Sequence, residues 1–247
     1  MATISEILTQ LFPPNIFIVN IDGLRTDIVS VIITNKTEQG VICVKFTIRV
    51  TETERIIQLN SVLKCSDTGD DGTGTALLTK VEIFAGQIGI THITLVDESN
   101  IYICGNQIDL AYFKILTTGM SWYNKHGYLS DRHASDMKAN TAFIASPIAE
   151  KVKPEITTTF PPTSPDETVQ LYVTRIFNSI VQQKPTCTKE HMERGIYLQM
   201  IVNTLKGQIS YKNKLTKDLT SQQGAGRRKL QTKRKKPNKK KRTRKHK

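Results

Sequence analysis

Residues 55–74 set the architecture of this chain, and they read Arg55-Ile-Ile-Gln-Leu-Asn-Ser-Val-Leu-Lys-Cys-Ser-Asp-Thr-Gly-Asp-Asp-Gly-Thr-Gly74. The first half is rich in apolar and β-branched residues, as in a strand, and the second half is a glycine-rich turn. Residues 91–96 then alternate as a second strand. Between the turn and this strand, apolar residues recur at helical spacing: Leu77, Val81, Phe84, Ala85 and Ile88. The pattern predicts a unit of strand, glycine turn, helix and strand.

Upstream of this unit, residues 16–21 and 41–50 also read as strands, separated by short polar connections. Residues 28–33 fit a strand or a helix, and we favour a strand. Such closely spaced strands pair antiparallel as a meander. If the two strands of the central unit are parallel, their crossover is right-handed. The expected fold class is therefore α/β in the α+β sense, with a mixed, largely antiparallel sheet.

Downstream, the sequence predicts a short helix at residues 108–116, a proline-marked segment and two amphipathic helices separated by Pro185. Val169, Tyr172, Val173, Ile176, Phe177 and Ile180 define the apolar face of the first helix, and Ile196, Tyr197, Met200, Ile201 and Leu205 that of the second. The predicted organisation is a core domain at 1–150, a Pro/Thr linker at 151–165, a helical hairpin at 166–206 and a disordered basic tail at 207–247.

Charge is distributed unevenly along the 247 residues, whose net charge is +13. Residues 225–247 hold 14 Lys and Arg and no acidic residue, whereas residues 1–224 hold 21 Lys and Arg against 22 Asp and Glu, a net charge of −1. Any binding of a polyanion is therefore expected from the tail and not from the folded body.

The tail contains basic clusters without an interleaved aromatic residue. Such a segment neutralises phosphates but lacks stacking side chains, so we expect sequence-independent nucleic-acid binding or recognition by a nuclear-import receptor. A tail that only improves solubility is the alternative. The residues assigned to this role are Arg227, Arg228, Lys229, Lys233, Arg234, Lys235, Lys236, Lys239, Lys240, Lys241 and Arg242.

The four cysteines, Cys43, Cys65, Cys104 and Cys187, lie far apart in the sequence. No close pair suggests a metal ribbon or a redox couple, so we expect reduced, buried thiols and no metal cofactor. No run of 18 apolar residues and no basic leader segment occur in the sequence. We therefore expect an intracellular protein with no membrane partner.

The junction between the glycine turn and the helix is the candidate ligand-binding site in the sequence. A strand that enters a helix through glycines presents free N–H groups and the positive end of the helix dipole, which suit a phosphate. Gly69, Gly72 and Gly74 do not match the dinucleotide-binding spacing, and no P-loop lysine follows. An ordinary nucleotide-binding fold is therefore disfavoured, and the candidate phosphate contacts are Gly72, Thr73, Gly74 and Thr75.

Residues 69–74, Gly-Asp-Asp-Gly-Thr-Gly, resemble the acyl-coenzyme A signature of the GNAT-type N-acetyltransferases, and Tyr123-Asn-Lys-His-Gly-Tyr128 resembles a second element of that family. The resemblance covers roughly residues 16–130. It implies that acetyl-coenzyme A donates an acetyl group to an amine. It also implies that a backbone N–H between Leu63 and Cys65 stabilises the oxyanion, and that Tyr123 assists the departing thiolate. Asp97, Glu98 or water would accept the proton.

The sequence departs from the family pattern in three respects. Gly69 stands where the family has Arg or Gln, and Asp67, Asp70 and Asp71 crowd the loop that would hold a diphosphate. Like charges at about 6 Å repel by roughly 0.7 kcal/mol in a water-like dielectric. Tyr123 also lies 26 positions beyond Asp97, farther than the family pattern implies. No helical pair follows the first strand, where the family binds its acceptor, so the sequence does not identify the acceptor amine.

These departures favour an alternative function, a non-enzymatic interaction protein that keeps the fold and acts through its tail and helical hairpin in an assembly. A core of this kind with a basic tail also resembles proteins of large DNA viruses. Possible locations are then the nucleus, a viral factory or a virion, and otherwise the cytoplasm.

Overall fold

The computed structural model describes residues 3–23, 27–38, 40–51, 54–65, 69–181 and 187–220. The strands are β1 (Phe17–Asp22), β2 (Ile28–Asn35), β3 (Ile42–Val50), β4 (Arg55–Val62), β5 (His92–Val96), β6 (Asn100–Ile103), β7 (Asn106–Asp109) and β8 (Lys214–Asp218). The helices are α1 (Ile4–Leu11), α2 (Gly74–Gln87), α3 (Leu110–Thr118), α4 (Trp122–Lys125), α5 (His133–Ile144), α6 (Pro154–Thr157), α7 (Val169–Val181) and α8 (Lys189–Lys206), with 3₁₀ turns at Gly69–Gly72 and Ile148–Glu150.

Six strands form one sheet in the order β1-β2-β3-β4-β5-β8. Every neighbouring pair is antiparallel except β4 and β5, which are parallel and joined through α2. This confirms the predicted mixed, largely antiparallel α+β fold, including the strand at residues 28–33. A separate two-stranded hairpin is formed by β6 and β7.

The apolar residues divide between two cores. In the first, α1 and α2 cover one face of the sheet, and the rings of Phe46 on β3 and Phe84 on α2 meet with centroids 5.6 Å apart. In the second, α3, α7 and α8 pack with the β6–β7 hairpin, and Phe113 meets Phe177 at 4.9 Å. The helical hairpin therefore obtains the partner surface that its apolar faces require.

The observed packing differs from the predicted domains because the second core includes segments that precede the hairpin in sequence. Residues 101–118 pack with α7 and α8 instead of with the sheet, and Ile156 and Phe160, inside the predicted linker, also pack on that core. Within the predicted tail, residues 214–218 form β8, which binds the free edge of β5. The basic residues from 227 onward, like Asp67 and Pro185, lie outside the described residues.

The apolar face of α8 is rotated from the predicted one. Ile196 and Met200 are exposed, whereas Leu198 and Val202 are buried. The reason is that α8 contacts β7 as well as α7, so its buried surface is wider on that side than a simple hairpin requires.

The expectation of reduced thiols is wrong. Cys43 is paired with Cys65, and Cys104 with Cys187, with Cα atoms 5.5 and 5.3 Å apart, respectively. These separations are normal for disulfides. The partners are 22 and 83 positions apart in sequence, and only the packing of neighbouring strands and of the β6–β7 turn on α8 brings them together.

A buried ion pair fixes β8 to α2. The Lys217 ammonium lies 2.7 Å from the Glu82 carboxylate, and the Tyr128 hydroxyl donates to the same carboxylate oxygen at 3.2 Å. The side chains of Lys217 and Glu82 are only 9% and 15% exposed. Removing one partner of such a pair leaves the other charge without compensation. An uncompensated charge in a poorly solvated position lowers the free energy of unfolding.

We predict that Glu82→Leu destabilises the protein by about 3 kcal/mol, measured by urea unfolding, because Lys217 then keeps an uncompensated charge. The matched control is the double variant Glu82→Leu/Lys217→Met, which removes both charges and is expected to recover part of the loss. Equal stability of the single and double variants would show that the ion pair does not contribute.

Candidate functional site

The candidate site is a crevice that opens where β4 and β5 separate. The two strands pair in register only as far as Leu59 and Leu95. Beyond that point the other edge of β4 stays bound to β3, so residues 60–64 turn an unpaired edge toward the gap. The resulting cavity measures about 670 Å³. It is closed on its remaining sides by the start of α2, by residues 98–100, and by Tyr102, Leu110, Trp122 and Tyr123.

The amino-terminal end of α2 faces this crevice. The Thr73 hydroxyl accepts a hydrogen bond from the Ala76 N–H at 3.2 Å, and the Thr73 carbonyl accepts from Leu77 at 2.9 Å. The N–H groups of Gly74 and Thr75 have no partner among the described residues. The helix thus presents two free donors and the positive end of its dipole to the cavity, as a phosphate requires.

Gly74 lies in van der Waals contact range of an aromatic ring. A Cβ at this position would lie 3.4 Å from Trp122 Cζ2 and 3.5 Å from Cη2. The indole therefore lies over the first turn of α2, and its ring packs on Tyr123 with centroids 4.8 Å apart. A side chain larger than alanine at residue 74 would have to displace the indole or enter the crevice.

The two described aspartates of the acidic loop, Asp70 and Asp71, do not crowd the crevice in the way the sequence suggests. Asp71 lies 2.9 Å from the Lys80 ammonium on α2, and neither Asp70 nor Asp71 lines the cavity. The Asp70 carbonyl accepts from the N–H and hydroxyl of Thr73, which holds the turn against the helix cap. The Lys80 ammonium therefore offsets the repulsion that the Asp71 carboxylate would otherwise exert on a diphosphate.

Of the three backbone N–H groups from Leu63 to Cys65, two already donate hydrogen bonds within the described part of the protein and one does not. The Leu63 N–H donates to Cys43 at 2.8 Å, and the Cys65 N–H donates to Gly72 at 2.9 Å. The Lys64 N–H makes no hydrogen bond within the described ranges. Because successive N–H groups of an extended chain point to opposite edges, this donor faces the crevice.

Tyr123 brings an unpaired phenol to the cavity. The residue is 7% exposed, and its hydroxyl has no hydrogen-bond partner among the described residues. Among the described residues, every fully enclosed side-chain oxygen has a hydrogen-bond partner. Because the Tyr123 hydroxyl oxygen has none among them, it is not fully enclosed and opens to the crevice. Burial, and secondarily the charge of Asp97, raise the pKa of Tyr123 well above its usual range. The phenol is therefore a hydrogen-bond donor at neutral pH.

The two candidate bases differ in position. Asp97 is buried and accepts hydrogen bonds from Tyr211 at 2.6 Å and from the Ser99 hydroxyl at 2.5 Å, and it does not line the cavity. Glu98 lines the cavity and is exposed. Asp97 thus organises the turn after β5, and Glu98 is the carboxylate available to a ligand.

Of the seven residues predicted for the coenzyme and catalytic site, the structure brings five together, and the predicted tail residues lie outside the described part of the chain. Leu63, Thr73, Gly74, Thr75 and Tyr123 line one cavity, whereas Cys65 and Gly72 are buried behind it. Sequence reasoning missed the role of Trp122 and the contribution of the β6–β7 hairpin. A two-residue Cys104-Gly105 turn directly after the apolar run at residues 101–103 is the signal that could have identified that hairpin.

Comparisons with known proteins add little to this geometry. No protein-family model and no curated protein sequence match the chain. Among solved structures, the chain is similar to a crystal structure of nourseothricin acetyltransferase, with 15% sequence identity and a TM-score of 0.21. The match covers 32% of this chain and 57% of that one, so the chain spans little more than half of that protein's length. A similarity this weak establishes neither a shared fold nor a shared function.

None of the helices in the described ranges is long and apolar enough to cross a membrane.

We predict that Tyr123 stays protonated at pH 10.5, where an ordinary tyrosine is about three-quarters ionised. Since the folded chain holds this proton more tightly than the unfolded chain, its contribution to stability is present below about pH 10 and is lost as the pH rises further. Phenolate absorbance of the folded protein at pH 10.5 should be the same for the wild type and for Tyr123→Phe. A loss of one phenolate in the variant would contradict the raised pKa.

Proposed function

We propose that the chain binds acetyl-coenzyme A in the crevice and transfers its acetyl group to an amine. The observation that carries the proposal is the divergence of two parallel strands around an unpaired, buried phenol, beside the free N–H groups of a helix start. The GNAT-like order of these elements along the sequence supports the same proposal.

Each wall of the crevice would have a separate task. The N–H groups of Gly74 and Thr75 would bind a phosphate of the coenzyme, with Lys64 providing the cationic side chain of the lining. The unpaired edge of β4 would align the pantetheine arm through backbone hydrogen bonds. The Lys64 N–H would then donate to the oxyanion in place of the engaged donors on Leu63 and Cys65.

In the transfer step, the amine nitrogen attacks the thioester carbonyl carbon, a C–N bond forms and the C–S bond breaks. Tyr123 would stabilise the departing sulfur by hydrogen bonding. Full proton transfer from an ordinary tyrosine to a thiolate is already uphill by about 2 kcal/mol, and burial makes this phenol a weaker acid still. Glu98 or water would take the proton that the attacking amine loses.

Calorimetric titration with acetyl-coenzyme A tests this proposal directly. We predict binding to the wild type, and a loss of at least tenfold in affinity for Gly74→Leu, whose side chain would displace Trp122 or occupy the crevice. Gly86→Leu is the matched control on the same helix, because a Cβ there meets nothing within 4 Å. Absence of heat and of a thermal shift with the wild type at millimolar ligand would refute the acetyltransferase proposal.

The second candidate is a non-enzymatic interaction protein that retains the fold and binds nucleic acid or an assembly through its tail. It is favoured by the internal hydrogen bonds of the Leu63 and Cys65 N–H groups and by Gly69 in place of a side-chain contact. The two candidates share the tail, for which we propose sequence-independent nucleic-acid binding or recognition by an import receptor.

For the tail, we predict that deleting residues 225–247 abolishes salt-sensitive binding to DNA or RNA, because the remaining chain has a net charge of −1. The melting temperature should change by no more than about 2 °C, since β8 and both cores are retained. Electrophoretic mobility shifts at two salt concentrations measure the first effect. Binding that persists in the truncated protein would assign the nucleic-acid surface to the folded body.

A further inference from the structure

The crevice carries opposite charges on its two sides. Lys64 is the cationic side chain among the described lining residues, and Glu98 is the carboxylate. Lys64 lies on the β4 wall near the start of α2, whereas Glu98 follows β5, near Tyr102 on β6. Tyr102 is 70% exposed. The β5 side thus offers a carboxylate and an open aromatic ring, which together suit a cationic amine.

The described chain ends at the opposite end of β5 from the crevice. β8 runs antiparallel to β5, with Lys214 opposite Val96 and Asp218 opposite His92. The last described residue, Thr220, lies two residues beyond Asp218, past the start of β5. The crevice is at the other end of β5, about 20 Å away along the strand direction.

The length of the tail is sufficient to cover that distance. Lys229 is nine residues beyond Thr220, and a chain of that length spans at most about 30 Å. Lys233, four residues further, extends the limit to about 45 Å. Lysines from residue 229 onward can therefore reach the mouth of the crevice on the same molecule, even along a path around the sheet edge.

We propose that the lysines of residues 225–247 are acceptors of the acetyl group, so that the chain acetylates its own tail. This inference rests on the proposed function. The tail supplies nine lysines and no acidic residue that would compete for them, while the mouth supplies Glu98. The five arginines of the tail stay protonated and do not react. Tethering gives these lysines an effective concentration of the order of millimolar without any further contact.

The reaction is balanced without another reactant. A lysine ammonium loses one proton to solution, its nitrogen forms a bond to the thioester carbonyl carbon and then loses a second proton, and the C–S bond breaks; that second proton ends on the sulfur. The thiolate is protonated, and the products are a neutral acetyl-lysine, the coenzyme thiol and one proton in solution. Complete modification would leave the five arginines as the tail's positive charges. Each acetylation would reduce the salt dependence of nucleic-acid binding by about one released counterion.

The test incubates the full chain with acetyl-coenzyme A and follows intact mass, with peptide mapping of the modified lysines. We expect acetylation confined to residues 229–247, with a first-order rate that does not change when the protein is diluted. The matched control replaces all nine tail lysines with arginine, which keeps the charge and removes the nucleophile. This variant should bind acetyl-coenzyme A as the wild type does but remain unmodified.

Two single variants tie the labelling to the crevice. Glu98→Gln should slow tail acetylation by about two- to fivefold, the effect expected for one exposed charge pair. Tyr123→Phe should slow it by at least tenfold if the phenol assists the leaving group. Labelling of the same extent in Tyr123→Phe, or in the wild type unfolded in urea, would show uncatalysed chemical acetylation and overturn the inference.

The remaining outcomes separate this inference from the proposed function. If acetyl-coenzyme A binds and spermidine is acetylated, but the tail is not, the inference is wrong and the transferase proposal stands. If the labelling rate increases with protein concentration, the acceptor is a second copy, and acetylation within one chain is refuted. If acetyl-coenzyme A does not bind, both proposals fail.

Discussion

The parallel pairing of β4 and β5, and its termination at Leu59 and Leu95, is the constraint on which the site depends. Two strands that continued in register would satisfy each other's backbone groups and leave no cavity. Here β4 continues along β3 while β5 ends at Val96, so one edge of β4 is left facing open space. The crevice is therefore a consequence of backbone hydrogen bonding and not of an insertion or a mobile loop.

The same strand pair positions the helix start. A parallel pair needs a crossover, and α2 supplies it by packing Val81 and Phe84 on the sheet. Its amino-terminal end then necessarily lies at the carboxyl end of β4, beside the gap. The ion pair between Asp71 and Lys80 and the cap by Thr73 hold residues 70–73 against this helix, and neither Asp70 nor Asp71 lines the cavity. These two aspartates therefore leave space for the phosphate contact that we propose at the start of α2.

The second core extends the crevice to a further set of residues. Its β6–β7 hairpin is fixed to α8 by the disulfide between Cys104 and Cys187 and by the Asn106 amide, which donates to the Met192 carbonyl at 3.3 Å. Gly195 allows this contact, since a Cβ there would lie 2.6 Å from the Asn106 amide nitrogen. Tyr102 is thereby held at the mouth of the crevice, on the opposite side from the coenzyme-binding helix start that we propose.

Local patterns in the sequence determined β1 to β5 and the helices α2 and α7, but not the β6–β7 hairpin or β8. Alternating and β-branched runs identified the strands, helical spacing identified α2 and α7, and the glycine turn located the helix start, because each depends on residues near one another in the chain. Uneven charge also separated a near-neutral body from a basic tail. Only tertiary structure decided the disulfides, the β8 strand and the rotated face of α8. It also decided that Asp97 is buried away from the cavity while Glu98 lines it. Those features arise from contacts between residues far apart in the chain, such as Tyr211 and Asp97, which are 114 positions apart, and no periodicity along the chain encodes such a contact.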